Sequence, residues 1–253
     1  MSQSTESRHI YDAAVIGCGY VSVGAAGAIG NAVILEEEST CDTHVYLPLS
    51  SFRHHPYTPT TAEGRRLAAI FERLGLFRDG MQNTNAMEIA LCSYLATGGP
   101  RVLLKCRVVD TERDGEVYRL AVQTNEGITH LYARSVIHTE RRGGTPRFTV
   151  LLEIGDIGAV RAPLLAAFPG ATLEPAFYPG RYALHIPAAG YDENGVKCYA
   201  YETLRAKGLA LRILTMAPTF SYEDTENPLS DDFYRSPIEA LEAGIAYAKE
   251  GMR

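Results

Sequence analysis

The sequence has no excess of positive charge: 24 Lys and Arg stand against 30 Asp and Glu, for a net charge of −6 and a pI near 5.7. A surface that neutralises phosphates along a nucleic acid needs a basic stripe, so no nucleic-acid partner is expected. Long apolar runs are missing as well. Ala13–Ile16 and Ala32–Leu35 fall far short of the ~20 residues that cross a bilayer, and no membrane association is expected. The first eight residues, Met1 to Arg8, lack an apolar signal core, which makes the cytoplasm the expected location. No CxxC pair occurs: Cys18, Cys41, Cys92, Cys106 and Cys198 are odd in number and irregularly spaced, as suits reduced thiols packed in a core. The absence of a Gly-x-x-x-x-Gly-Lys loop and of a Ser-His-Asp order with a nucleophile elbow argues against NTPase and serine-hydrolase chemistry. Cys41, His44, His54 and His55 share one irregular segment, but no recognised ligand spacing joins them and no metal is expected.

What is present is a globular composition, 46% hydrophobic and 21% charged, on 253 residues, enough for one large domain or two intimately joined ones. Tyr11-Asp12-Ala13-Ala14-Val15-Ile16 is mostly apolar and ends in Gly17-Cys18-Gly19, the pattern of a buried parallel strand entering a tight turn. Ser22 to Ile29, rich in Ala and Gly, follows as a helix of roughly 12 Å that Gly30-Asn31 stops. Ala32 to Glu36 is the second strand, and the unit is a right-handed βαβ crossover. Residues 37 to 60 carry Pro48, Pro56 and Pro59 with little periodicity and form an irregular excursion. Thr60-Thr61-Ala62-Glu63 predicts a capping box ahead of a helix with Leu67, Ile70, Phe71 and Leu74 on its apolar face, stopped at Gly75. Asn85 and Glu88 predict the start of another, bearing Met87, Leu91, Tyr94 and Leu95 and closed by Gly98-Gly99-Pro100.

From Val102 the pattern changes to strands. Val102–Val109, Glu116–Thr124 and Ile128–Ile137, with turns at Asp114-Gly115 and Asn125-Glu126-Gly127, predict an antiparallel meander. The breaker Glu140-Arg141-Arg142-Gly143-Gly144 marks a boundary. Beyond it, strands are expected at Phe148–Ile154 and Tyr182–Ile186 around a short helix from Pro163 to Phe168. A buried strand over Leu209–Met216 follows, and Ser236-Pro237-Ile238-Glu239 opens a last helix with Ile238, Leu241 and Ile245 on its core face. The fold class is α/β: a parallel-sheet, Rossmann-like dinucleotide-binding domain over residues 1–140 and 209–253, with an antiparallel meander and a small inserted substrate or interaction region over 141–208.

The chemistry concentrates in the first turn. A dinucleotide pyrophosphate needs a turn free of side chains and open backbone N–H groups at a helix N-terminus, and Gly17-Cys18-Gly19-Tyr20-Val21-Ser22 supplies both, with two of the three fingerprint glycines. Glu36 lies 19 positions after Gly17, close to the roughly 20 expected for a carboxylate on an adenosine ribose hydroxyl. The same pattern also fits a βαβ unit whose turn binds nothing, and nicotinamide binding in the same turn. By pattern Glu37 and Glu38 are solvated.

Tyr11 to Gly19 resembles the opening of FAD-dependent oxidoreductases of the glutathione-reductase-like class. Leu95 to Val109 is similar to that family's segment where the chain re-enters the FAD domain, and the meander ending in Ala133-Arg134-Ser135-Val136-Ile137 resembles the three-stranded sheet that covers its parallel sheet. Asp232 to Gly244 resembles the closing helix that faces the flavin. These ordered matches cover about half of the chain. The resemblance implies FAD, with its diphosphate at Gly17, Gly19, Tyr20, Val21 and Ser22 and its ribose at Glu36 with Glu37 beside it. The adenine side is implied at the Val108 backbone and the flavin at Ser236, Pro237 and Ile238. There the positive end of the last helix would favour charge on reduced flavin, although an ordinary helix cap is the alternative for Ser236.

The chain resembles a shortened member of that family with degraded motifs. Ser22 replaces the third glycine, and Gly24 and Gly27 weaken a helix about one turn shorter than usual. Leu214-Thr215-Met216-Ala217-Pro218 lacks the glycine-aspartate step, with Asp224 as a substitute for the ribityl contact, and Ile137-His138-Thr139-Glu140 lacks the expected aspartate and glycine. The small middle region implies a small-molecule substrate, a site completed by a second copy or a partner subunit, or lost catalysis. Two functions follow as expectations: an FAD-dependent oxidoreductase passing a hydride from an unidentified small molecule to flavin, and a catalytically inactive flavoprotein-like binding or assembly subunit.

Overall fold

A computed structural model describes residues 9–42, 45–46, 48–50, 53–139, 144–223 and 225–251. The apolar runs on either side of the glycine turn form β1 (Ile10–Ile16) and β2 (Ala32–Leu35), joined by α1 (Tyr20–Ile29) and paired in parallel from Ala13↔Ala32 to Ile16↔Leu35. After the excursion come α2 (Ala62–Arg73), the short hairpin of β3 (Phe77–Arg78) and β4 (Met81–Gln82), and α3 (Met87–Ala96). β5 (Arg101–Leu103) adds a parallel edge strand beside β2. β6 (Arg107–Asp114), β7 (Val117–Thr124) and β8 (Gly127–His138) are the expected meander, and the long β8 also pairs in parallel with β1 from Ile10↔Tyr132 to Ile16↔His138.

The strand order β5-β2-β1-β8-β7-β6 places β5 and β6 at opposite edges. In a flat sheet they would stand five spacings apart, roughly 24 Å. The chain from Leu103 to Arg107 reaches at most about 14 Å. The meander therefore folds back over the parallel strands, and Tyr11, Ala14, Val33 and Leu35 meet Cys106, Leu120, Val122 and Ala133 in the layer between. Lys105, at φ 55°, makes the corner, so the single strand expected over Val102–Val109 is two strands in different layers.

The opposite face carries α1, α2, α3 and α6 (Pro237–Gly251) over a core that includes Val15, Ile34, Phe71, Leu91 and Leu241. α1 and α6 cross at glycines: a Cβ on Gly24 would lie 2.0 Å from the Leu241 carbonyl oxygen, and one on Gly244 would lie 2.1 Å from that of Val21. The glycines that weaken α1 as an isolated helix thus let it touch α6 backbone to backbone. Two helix starts differ from expectation. α2 is capped by Thr61, whose hydroxyl accepts from Gly64 N–H at 2.9 Å, one residue later than a Thr60–Glu63 box requires. Asn85 sits inside a 3-10 turn, Thr84–Ala86, which precedes α3.

A second sheet is built around β9 (Thr145–Ile154), which α4 (Ile157–Ala167), β10 (Thr172–Pro175) and β11 (Arg181–Pro187) follow. α5 (Glu193–Lys207), β12 (Leu211–Met216) and β13 (Ser221–Glu223) complete it, in the order β10-β11-β9-β12 with β13 also on β9. α4 starts at an Asp156 cap, seven residues ahead of Pro163, which it accommodates. α5 was not expected; Asp192 caps it and Gly208, at φ 58°, ends it. The strand over Leu211–Met216 pairs with β9, so this sheet runs on to Glu223. Residues 140–143 of the expected boundary lie outside the described residues. Among those described, no helix is long and apolar enough to cross a membrane.

Candidate functional site

The turn after β1 places four successive N–H groups at the start of α1, where helix geometry leaves amides without internal partners. Each is satisfied by a side chain. Cys18 N donates to Glu36 Oε2 at 2.7 Å and Gly19 N to Ser22 Oγ at 3.1 Å. Tyr20 N donates to Asp231 Oδ2 at 2.7 Å and Val21 N to Asp231 Oδ1 at 2.8 Å. Asp231 belongs to a 3-10 turn, Asp231–Phe233, just ahead of α6, and is buried. Gly19 is bare for a visible reason: a Cβ there would lie 2.3 Å from Asp231 Oδ2.

The other expected site residues lie in several different settings. Glu36 is buried and aimed at the turn, with Oε1 also accepting from Glu38 N at 2.9 Å. Ser22 is fully buried. Its hydroxyl pairs at 2.8 Å with that of Thr139, which donates to the Ile16 carbonyl, so Ser22 ties α1 to the end of β8. Tyr20 and Val21 send their side chains into the helix-side core, where the Tyr20 hydroxyl meets the Met87 carbonyl at 3.3 Å and Asp42 Oδ2 at 3.4 Å. Glu37 is exposed, 3.7 Å from Arg107, and with Lys105, Arg107 and Gln123 lines a depression of about 350 Å³. Val108, opposite Val122 in the meander, packs against the layer between the sheets and does not line the depression. Ser236, Pro237 and Ile238 open α6 and are buried. Ser236 and Pro237 line a second cavity, of about 340 Å³, between α6 and the second sheet, with Tyr20 and Asp231 on one wall and Arg53, Arg147 and His185 on the other. Asp224 and His44 lie outside the described residues. Among the described residues no group of three His, Cys, Asp or Glu is placed to hold a metal.

Two carboxylates were missing from the sequence expectations, Asp231 and Glu242. Glu242, on α6, accepts from Thr60 N (2.8 Å) and Oγ1 (2.5 Å), Thr61 N (2.7 Å) and Oγ1 (2.9 Å), and Tyr57 Oη (3.0 Å). Burial opposes its charge, but these bonds outweigh burial and bring its pKa down to about 2. Asp42 moves the other way: burial, then the nearby Asp231 charge, push its carboxyl well above the usual range. His185 Nδ1 is 2.9 Å from Thr149 Oγ1, and burial followed by the charges of Arg147 and Arg53 lowers its pKa to about 4, so the cavity holds a neutral imidazole. Arg53 pairs with Glu174 at 3.3 Å and Arg147 with Glu223 at 2.5 Å.

A side-chain-free turn at the N-terminus of a ten-residue helix is a cradle of the kind a diphosphate takes. Here the Asp231 carboxylate occupies two of its amides, so a diphosphate and Asp231 are alternatives for one place. The fold is shared with solved hydroxylases and monooxygenases, one of them solved with FAD. p-Nitrophenol 4-monooxygenase from Pseudomonas putida superposes with a TM-score of 0.56 at 15% identity, over 96% of this chain and 81% of that one. Aklavinone-11 hydroxylase, solved with FAD and aklavinone, gives 0.58 at 11% over 95% of this chain and 62% of that one. Anhydrotetracycline hydroxylase from Streptomyces rimosus gives 0.55 at 14% over 83% and 52%. The chain therefore shares the fold of these proteins, with a Rossmann-like parallel sheet, and spans 62% and 52% of the length of the last two. No protein-family model matches the sequence, and no curated protein matches it.

Proposed function

We propose that the chain is an FAD-dependent oxidoreductase that takes a hydride from a small molecule held between its two sheets. The observation that carries this reading is the continuity of three features. Glu37, in the outer depression, is next to Glu36, which holds Cys18 of the turn; Tyr20 and Asp231, at the other end of the turn, line the inner cavity. Nucleoside, diphosphate and reactive ring follow one another in a dinucleotide in that order. FAD bound along this path supplies two-electron chemistry at its isoalloxazine.

The chain's own groups have distinct tasks in this reading. The amides of Cys18 to Val21 and the positive end of α1 hold negative charge. The α6 N-terminus at Ser236 and Pro237 turns a second helix dipole onto the cavity, where it favours developing negative charge. His185, oriented by Thr149 and neutral above about pH 4, is the group on the cavity wall suited to a hydrogen bond with a substrate hydroxyl. A visible absorption spectrum of the purified chain, followed by release of FAD on denaturation, tests the reading. A yellow protein upholds it, and a colourless protein that takes up no added FAD rejects it. That second outcome selects the other reading, a binding or assembly subunit without turnover, which the internal satisfaction of all four turn amides favours.

A further inference from the structure

Asp231 grips the amides of Tyr20 and Val21 with both carboxylate oxygens, at 2.7 and 2.8 Å, as two oxygens of a diphosphate would. Gly19 leaves room for it: the 2.3 Å between a Gly19 Cβ and Oδ2 means any side chain at position 19 would expel Asp231 from the turn. The surroundings are already rich in negative charge. Glu36 binds the adjacent amide, and Asp42 lies close enough for the Asp231 charge to disfavour its own ionisation. A diphosphate could not join these groups with Asp231 in place, because the same donors cannot serve both and the like charges repel.

Asp231 also has somewhere to go. It rides on a three-residue 3-10 turn, six residues ahead of Pro237 where α6 begins, and it lines the 340 Å³ cavity. We propose that Asp231 is an internal stand-in for the cofactor diphosphate, which FAD must displace, so that this one carboxylate sets the affinity of the chain for FAD. The inference rests on the dinucleotide reading of the turn and adds to it the residue that determines affinity. It also explains how a chain with degraded motifs keeps a well-satisfied helix start without cofactor.

The test uses the full chain with Asp231→Ala and Asp231→Asn, titrated with FAD by flavin fluorescence and with inorganic pyrophosphate by thermal denaturation. Asp231→Ala is expected to bind FAD about tenfold more tightly than the parent, as when nine in ten parent molecules hold the turn closed. Asp231→Asn, which keeps one acceptor oxygen, falls between them and carries the test if the alanine variant does not fold. Pyrophosphate is expected to raise the Tm of the variants at about a tenth of the concentration that the parent needs. Equal or weaker FAD binding by both variants overturns the proposal. If neither parent nor variants bind FAD, the dinucleotide reading fails separately, and pyrophosphate decides: protection of the variants at lower concentration than the parent upholds Asp231 as an anion stand-in, and equal protection, or protection of none, refutes it.

Discussion

The N-termini of α1 and α2 each receive a carboxylate from the C-terminal part of the chain, Asp231 for α1 and Glu242 for α2. Both remove the cost of amides left without partners at a helix start. The settings differ. Glu242 is fixed on a 15-residue helix and accepts five hydrogen bonds from Tyr57, Thr60 and Thr61, and Gly64 is kept bare beside it. Asp231 is carried by a single short turn next to a cavity. The same electrostatic device is a permanent fastening where the donor set is dense and the carrier rigid, and an exchangeable one where the carrier is short and open space adjoins it.

The strongest way to break the comparison is to part α6 from α1. Gly24→Val forces a side chain into the Leu241 carbonyl and is expected to cost about 3 kcal/mol or more, since both carboxylates depend on that crossing; urea unfolding measures it. Glu242→Ala is expected to cost about 2 kcal/mol, because it strands charge-assisted donors at the start of α2. Its pH dependence sharpens the point. With a folded pKa of about 2 against an unfolded value near ~4.3, the contribution is complete above the unfolded value and disappears as pH falls toward 2. The stability gap between the parent and Glu242→Gln should therefore close in acid, and a gap that stays constant from pH 5 to pH 2 would contradict a paired carboxylate. Asp231→Ala, by contrast, is expected to lower stability by about 1 kcal/mol without cofactor, near the cost of losing an N-cap. A loss as large as that of Glu242→Ala would place both carboxylates in the permanent class. Glu37→Ala, at an exposed pair with Arg107, should change stability by less than about 0.5 kcal/mol.

Much of the fold was legible because its signals are local. The β1–α1–β2 unit, the last two strands of the meander and α6 follow from apolar periodicity broken by glycine and proline, and each appears within a few residues of expectation. α5 was equally legible in principle, with an Asp192 cap, Val196, Ala200 and Leu204 on one face, and Gly208 at its end. The break at Lys105 was not, since a left-handed lysine leaves no mark on the apolar pattern. For the site, bare glycines and Glu36 stood out by spacing, but what they face did not. Asp231 meets the turn across 211 residues of sequence, and Glu242 looks like one more charge on an amphipathic helix. Ser22 shows the limit of motif comparison: at the third-glycine position it bonds Thr139 rather than opening the turn to a ligand.

Amide resonances of the uniformly 15N-labelled chain, followed during an FAD titration, test the exchangeable carboxylate most directly. The Tyr20 and Val21 signals are predicted to shift and saturate as the diphosphate replaces Asp231, while those of Thr60 and Thr61, held by Glu242, stay where they are. Unmoved Tyr20 and Val21 signals at high FAD would show that Asp231 keeps the turn for itself and that no dinucleotide is bound there.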